Sequence, residues 1–255
     1  MTSRIEIVTD LVELSRWLGA PEQDCAILGE GNTSACVSAD SFLVKASGTH
    51  LGSLDANGFV EVNLARTLAM LDEKTTGDDA VRDLLIGCKT DPHDPRLPSV
   101  ETAFHAVFLS LPEVNFVGHT HPTAINAITC SAGFPDVLRD RLFPDEVVVC
   151  GPEPLIVPYV DPGLELARVI RSELSKFADR VGHYPKSVYM QNHGFTALGA
   201  TAKQVKAITA MAVKSARILA GTQAFGGLHP LGNEQVERIH TRSDEHYRQR
   251  IIEKQ

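Results

Sequence analysis

Short apolar runs that suit single β-strands alternate along this chain with longer stretches of helical periodicity, and that alternation limits the fold to a layered α/β architecture. The strand-like runs are CAIL, SACVS, SFLVK, FVEV, VNFVGH, EVVVC, PLIVPYV, SVYMQ and FTALG. Between them the pattern predicts helices from Glu6 to Leu18, from about Leu64, from Asp78 to Gly87, and from Ser99 to about Leu111. Further helices are expected from Pro122 through PTAINAITC, from Gly163 to Lys176, and along the Ala-rich stretch from Thr201 to Gly221. Ser99 can cap its helix, and Val100, Ala103, Phe104, Val107 and Phe108 give that helix an apolar face. Several strands follow one another through short Gly-rich turns, so parts of the sheet should be antiparallel. No break in composition marks a boundary. Residues 1–255 are therefore read as one domain, with a charged, mostly solvated helix after about 222.

Composition narrows the partners. The 255 residues carry a net charge of −8 with a pI near 5.7, so no broad basic surface is available for nucleic acid or an anionic membrane. An anionic small substrate stays open, because a local site can be positive on a negative protein. The five cysteines are odd in number and widely spaced, which reads as reduced thiols in a cytoplasmic protein. Arg4, Glu6, Asp10, Glu13 and Arg16 interrupt the N-terminal segment, which does not resemble the apolar part of a signal peptide. No apolar stretch is long enough to span a bilayer.

The chemistry concentrates at GHTHP, Gly118 to Pro122. Residues two apart on a strand point to one face, so His119 and His121 should lie side by side with Thr120 turned away. Two imidazoles leave a metal short of ligands, since a catalytic zinc takes three protein ligands and keeps an open position. His193, at the end of the YMQ run, is the candidate third ligand, and Gly194 after it permits close approach. Glu101 is the nearby carboxylate, expected in the first turn of the Ser99 helix, where the helix dipole alone favours it. His105 lies one turn along and can pair with it. Taken singly, each of these has an ordinary structural explanation. The turns GEGNTS and KASG offer a possible anion site. Asn32 can present its amide, Lys45 its charge, and Ser47 and Gly48 their hydrogen-bond donors, beside the helix start at Ser99.

Five motifs stand in one order: G-N-x-S at Gly31 to Ser34, K-x-S-G at Lys45 to Gly48, P-S-x-E-x-x-x-H at Pro98 to His105, H-T-H-P at His119 to Pro122, and N-H-G at Asn192 to Gly194. Together they resemble the class II aldolase/adducin family, whose members include fuculose-1-phosphate and rhamnulose-1-phosphate aldolases and ribulose-5-phosphate 4-epimerase. The resemblance runs from about Glu6 to Gly221. It implies a three-layer α/β/α sandwich around a central, largely antiparallel sheet. It also implies a divalent metal, zinc foremost with Mn or Co as alternatives, held by His119, His121 and His193. Glu101 matches the family's acid/base carboxylate, which can also touch the metal. Gly31, Asn32, Lys45, Ser47, Gly48 and Ser99 match its phosphate-binding positions. A homotetramer with sites at subunit interfaces is the implied assembly.

The activity implied is that of a metal-dependent aldolase, a carbon–carbon lyase. It would cleave a ketose 1-phosphate to dihydroxyacetone phosphate and an aldehyde through a metal-stabilised enediolate, with no Schiff-base lysine. Two departures matter. Val100 stands where the family usually carries a second Ser or Thr, so substrate phosphorylation is open. No tyrosine lies between His121 and Tyr159, so the second acid/base is unassigned, with Glu146, Glu153 and Tyr159 as stand-ins. The alternatives on the same cradle are a 4-epimerase, a dehydratase and a decarboxylase. A non-catalytic adducin-like interaction module is the alternative of another class.

Overall fold

Seven strands make a sheet in the order β3-β2-β1-β4-β7-β6-β5 in the computed structural model, which describes residues 3–74, 77–242 and 244. The strands are β1 (Asn32–Cys36), β2 (Ser41–Lys45), β3 (Phe59–Asn63), β4 (Phe116–Thr120), β5 (Leu155–Val157), β6 (Ser187–Met190) and β7 (Gly194–Gly199). All neighbours are antiparallel except the parallel pair β5 and β6.

Helices cover both faces. Side chains alternate along each strand, so β2 sends Phe42 and Val44 to one layer and Leu43 to the other. The first layer holds α2 (Leu64–Ala69), α3 (Asp78–Gly87), α4 (Thr102–Leu109) and α7 (Leu164–Val181). The second holds α1 (Arg4–Leu18), α5 (Thr123–Thr129), α6 (Pro144–Cys150) and α8 (Ala202–Thr222). A last helix, α9 (Asn233–Thr241), falls in the charged C-terminal stretch, most of whose remainder lies outside the described residues. The three-layer α/β/α sandwich with a largely antiparallel sheet is thus the observed fold. Among the described residues no helix is long and apolar enough to cross a membrane.

Three local expectations are corrected. The EVVVC run is helical, not a strand. Pro144 occupies the first helical turn with Asp145 and Glu146 beside it, and these start signals outweigh the β-branched run. Val147 and Cys150 then turn inward on one helical face. CAIL is irregular. Leu28 has φ of +51°, Ile27 and Leu28 are exposed, and the Cys25 carbonyl accepts the His121 N–H (2.8 Å) rather than a strand partner. Helix α4 begins at Thr102, with Glu101 at the cap position rather than in the first turn. Ser99 lies in the preceding turn, where its carbonyl accepts the Thr102 N–H (3.0 Å).

Candidate metal centre

The cluster forms where β1, β4 and β7 end side by side. Asn32 lies opposite His119 across the β1–β4 pair, and His119 lies opposite Thr196 across β4–β7. Val117 and His119 face the layer containing α4, where the Phe104 ring meets the His119 ring edge-on at 5.3 Å. Just past the strand end, His121 closes on His119, with ring centroids 4.8 Å apart. His193 comes from the turn between β6 and β7, where Asn192 adopts φ of +52°. Asparagine tolerates that left-handed conformation better than most residues. The His193 ring lies 5.0 Å from that of His119 and 5.1 Å from that of His121.

These three side chains form a group able to hold a metal ion, with one ligand atom from each lying within 4.8 Å of the others. The proton positions suit that role. His119 Nδ1 lies 3.0 Å from the Phe195 carbonyl, which can only accept, so Nδ1 carries the hydrogen and Nε2 presents a lone pair. That Nε2 lies 3.0 Å from His121 Nε2. Burial holds the His119 imidazole well below its ordinary range, against the pull of Glu101. Burial lowers His121 in the same direction, helped by His193 and opposed by Glu101 and Glu30. Neutral imidazole is the form that ligates. Gly194 is required here, because a Cβ would lie 2.6 Å from both His121 Cδ2 and the Thr120 carbonyl oxygen.

Glu101 completes the group. Its Oε1 is 3.1 Å from His193 Nε2 and its Oε2 is 3.5 Å from His119 Nε2. Asn32 Nδ2 donates to Oε2 at 2.6 Å. Burial works against ionisation of this carboxyl, but the His119 and His193 imidazoles and the Asn32 amide outweigh it and hold it well below the usual carboxylate range.

Several of the candidate anion-binding residues adjoin this cluster and bond one another. The Asn32 amide nitrogen donates to Glu101 Oε2 (2.6 Å) and to Ser99 Oγ (3.1 Å). Gly31, at φ of +67°, lets the chain press against β4, since a Cβ would sit 2.6 Å from the His119 carbonyl. The Ser47 N–H donates to the Leu97 carbonyl (2.8 Å), and Ser99 N–H donates to the Lys45 carbonyl (3.1 Å), so the KASG turn and the Pro98–Ser99 segment are laced together. Lys45 is buried with Nζ 3.3 Å from the Gly29 carbonyl, and burial lowers its pKa against the pull of Glu101. Gly48 turns the chain at φ of +80°. Val100, between the buried Ser99 and Glu101, is exposed.

The three stand-ins for a second acid/base are dispersed. Glu146 is buried in an ion pair with Arg141 (3.3 Å), and Glu153 pairs with Arg180 (2.9 Å). Neither has a described contact with the histidine cluster. Tyr159 is half-exposed, donates its hydroxyl to Asp161 (3.0 Å), and has its backbone N–H on Gln191, two residues before His193.

Sequence reasoning missed Glu30 and Asn126. Glu30 Oε1 lies 3.9 Å from His121 Nδ1, and Asn126 Nδ2 donates to the His193 carbonyl (3.1 Å). Glu30 stands inside the Gly-rich turn already singled out, and that was its only signal. His105 is also reassigned. It bonds Asn32 and Ser34, not Glu101. A cavity of about 580 Å³ between Val114, Leu198 and Ile208 lies at the opposite end of β4 and β7 and includes none of these residues.

Comparison with known proteins gives consistent results. The family model described as Class II Aldolase and Adducin N-terminal domain matches residues 9–220. The uncharacterized oxidoreductase YuxG of Bacillus subtilis (strain 168) is 31% identical over 206 residues, covering 77% of this chain and 27% of that protein. A 3-oxo-tetronate 4-phosphate decarboxylase of Pectobacterium atrosepticum is 28% identical over 165 residues, covering 64% of this chain and 62% of the relative. The chain thus spans about a quarter of the first relative's length and under two thirds of the second's. The solved N-terminal class II aldolase domain of a conserved Thermoplasma acidophilum protein superposes with a TM-score of 0.65 at 28% identity, covering 86% of this chain and 95% of that one.

Proposed function

The chain belongs to the class II aldolase and adducin N-terminal domain family, and on that premise we propose that it is a metal-dependent aldolase that cleaves a ketose 1-phosphate. The observation that carries this reading is a buried carboxylate, Glu101, held against two of three imidazoles whose ligating atoms converge. His119, His121 and His193 would hold a divalent ion, zinc foremost with Mn or Co as alternatives. When bound, that ion supplies Lewis acidity toward the substrate oxygens it faces.

The chain's own residues do the rest. Glu101 returns a proton to C3 of the ketose fragment after the C3–C4 bond breaks, and removes it in the condensation direction. Asn32 would hold the carboxylate in place through its hydrogen bond, and Phe104 packs edge-on against His119 beneath it. Lys45, Ser47, Gly48 and Ser99 lie on the side where a phosphate would rest, and Val100 leaves that site one hydroxyl donor poorer. Of the three stand-ins, Tyr159 is favoured for the C4 hydroxyl proton, because its backbone is tied to the His193 turn through Gln191. The exposed Ile27, Leu28 and Val100 support an assembly that covers this rim, and a cytoplasmic homotetramer with interfacial sites is the reading adopted. Residues 1–255 are taken as one catalytic domain with α9 appended.

A second reading has a specific observation behind it. The decarboxylase relative favours a 3-oxo acid phosphate that loses carbon dioxide on the same cradle. The adducin-like interaction module is disfavoured by the presence of all three histidines and the carboxylate.

The test is metal content together with product release, on the wild-type protein and on His121→Ala. Ketose 1-phosphates are screened with dihydroxyacetone phosphate coupled to NADH oxidation. Bound metal with metal-dependent release is expected, and both should be lost in His121→Ala. Bound metal with carbon dioxide release from 3-oxo acid phosphates would move the assignment to the decarboxylase. A metal-free wild-type protein would remove the cradle and revive the interaction module.

A further inference from the structure

We propose that His105 is a positioning residue, fixed as its Nε2–H tautomer, that sets the orientation of Asn32 and through it the hydrogen bond on Glu101. The argument starts at the far end of a buried chain. An ionised carboxylate only accepts hydrogen bonds. Asn32 reaches Glu101 Oε2 at 2.6 Å, so the atom presented there is the amide nitrogen. The Asn32 carbonyl oxygen then faces the other way, in close contact with His105 Nε2. A carbonyl only accepts, so His105 Nε2 carries the hydrogen. His105 Nδ1, 2.6 Å from Ser34 Oγ, is left to accept the serine hydroxyl. One acceptor at the end therefore dictates every donor along Ser34, His105, Asn32 and Glu101.

The fold builds this chain deliberately into its interior. Asn32 and Ser34 are two apart on β1 and share a face. Glu101 caps α4 and His105 lies one turn along, above that face. Phe104 stacks on the His105 ring with centroids 4.8 Å apart and planes 20° off parallel, which limits the ring's rotation. Ser34 and His105 are fully buried and Asn32 is 4% exposed, so water does not compete for these donors. Buried, fully connected polar chains hold their members in one arrangement. Without the His105 N–H, the Asn32 carbonyl loses its buried donor, and only the bonds from the amide nitrogen to Glu101 and Ser99 are left to hold the side chain in register.

The catalytic consequence rests on the reading of Glu101 as the acid/base, whereas the tautomer does not. The first experiment is therefore ¹⁵N–¹H correlation of the full chain labelled at histidine, zinc-loaded and chelator-treated, with His105 assigned by the His105→Gln variant. A neutral ring protonated at Nε2 in both states is expected, and a ring protonated at Nδ1 overturns the proposal. The second compares His105→Gln, whose amide nitrogen can replace the Nε2 donor, with His105→Leu, which fills space without donating. His105→Leu should lower kcat by about ten- to a hundred-fold with KM little changed, and His105→Gln should recover most of it. Equal losses in the two variants would reduce His105 to packing. Should the wild type release no product from any ketose phosphate, the aldolase reading fails while the tautomer result still stands or falls alone.

Discussion

Among the described residues two carboxylates are buried, Glu101 and Glu146, and their surroundings differ in kind. Glu146 accepts from Arg141 Nη1 and from the Leu142 N–H (2.8 Å), and Arg141 spends its other donors on the Gly151 carbonyl (2.8 Å), the Cys150 carbonyl (3.1 Å) and Ser187 Oγ (3.5 Å). Charge and countercharge come from one short segment, and the pair is closed. Among the described residues Glu101 has no guanidinium or ammonium within ion-pair distance, only His119 and His193. It sits among imidazoles, with His193 Nε2 facing Oε1 and His119 Nε2 facing Oε2, and among the described residues His193 Nδ1 finds no hydrogen-bond partner. A closed pair staples the turn before α6 to β6. An open set of donors around a point suits an ion that the chain itself does not supply. Equal burial therefore does not mean equal purpose, and the inventory of satisfied donors separates the two.

Replacing each carboxylate by its amide should break them in opposite ways. Glu101→Gln keeps the shape and the capacity to accept from Asn32, so the metal and the thermal midpoint should be retained. Its turnover should fall by about 10²- to 10⁴-fold, the usual worth of a placed acid/base. Steady-state kinetics beside metal analysis and a thermal melt check this, and a variant that melts early with normal turnover would reverse the roles assigned here. Glu146→Gln should instead cost about 3–5 kcal/mol of folding free energy, because it leaves the Arg141 charge buried without its partner. Denaturant unfolding measures that loss, and the fraction still folded should turn over normally. Lost turnover with intact stability would place Glu146 in the chemistry after all.

The same comparison explains what the sequence makes legible. The histidine cluster is readable because strand periodicity and ligand number point to it locally. His119 and His121 share a face by spacing alone, and Gly194 announces close approach. The layered fold is readable from the alternation of short and long apolar patterns. The EVVVC run that starts at Glu146 is misread because it has the composition of a strand, while Pro144 and the acidic first turn decide for a helix. Glu30 and the Asn32–Glu101 bond are missed for another reason. Each joins residues far apart in the chain, and no local period encodes which turn lands beside which strand end. The turn around Asn32 reads as an anion site, and no local pattern shows that its amide nitrogen meets Glu101 and Ser99.

Acid should expose a smaller difference between the regions. Burial holds His105 down at about 3, against an ordinary value of 6.5, with Glu101 pulling the other way. Between these values the unfolded chain binds a proton that the folded chain refuses. Stability therefore falls as pH drops through this window, and above it both states are neutral at this residue and the dependence vanishes. His105→Gln removes the group, so the slope of stability against pH should be shallower by up to about 1.4 kcal/mol per pH unit. Unfolding curves for both proteins at about pH 7 and about pH 5 give the slopes, and parallel slopes would mean that His105 titrates while folded.

The smallest effect is expected at Glu30, where the site meets solvent. Its carboxylate lies 3.9 Å from His121 Nδ1 and is 38% exposed, while its other oxygen accepts the Ile27 N–H at 3.0 Å. A carboxylate behind a ligating imidazole orients the ring and raises its basicity, but a long and wet contact does so weakly. Glu30→Gln should therefore weaken metal affinity by about three- to ten-fold, at the low end of outer-shell effects. Salt provides the sharper criterion. An exposed charge is screened, so the gap between wild type and variant should shrink as ionic strength rises, whereas the effect of Glu101→Gln, deep in the cluster, should hold. Competition titrations against a chelator at low and high salt distinguish the two. Equal affinities at low salt would leave Glu30 as the cap of the Ile27 turn alone, and the electrostatics of the centre would then end at its buried residues.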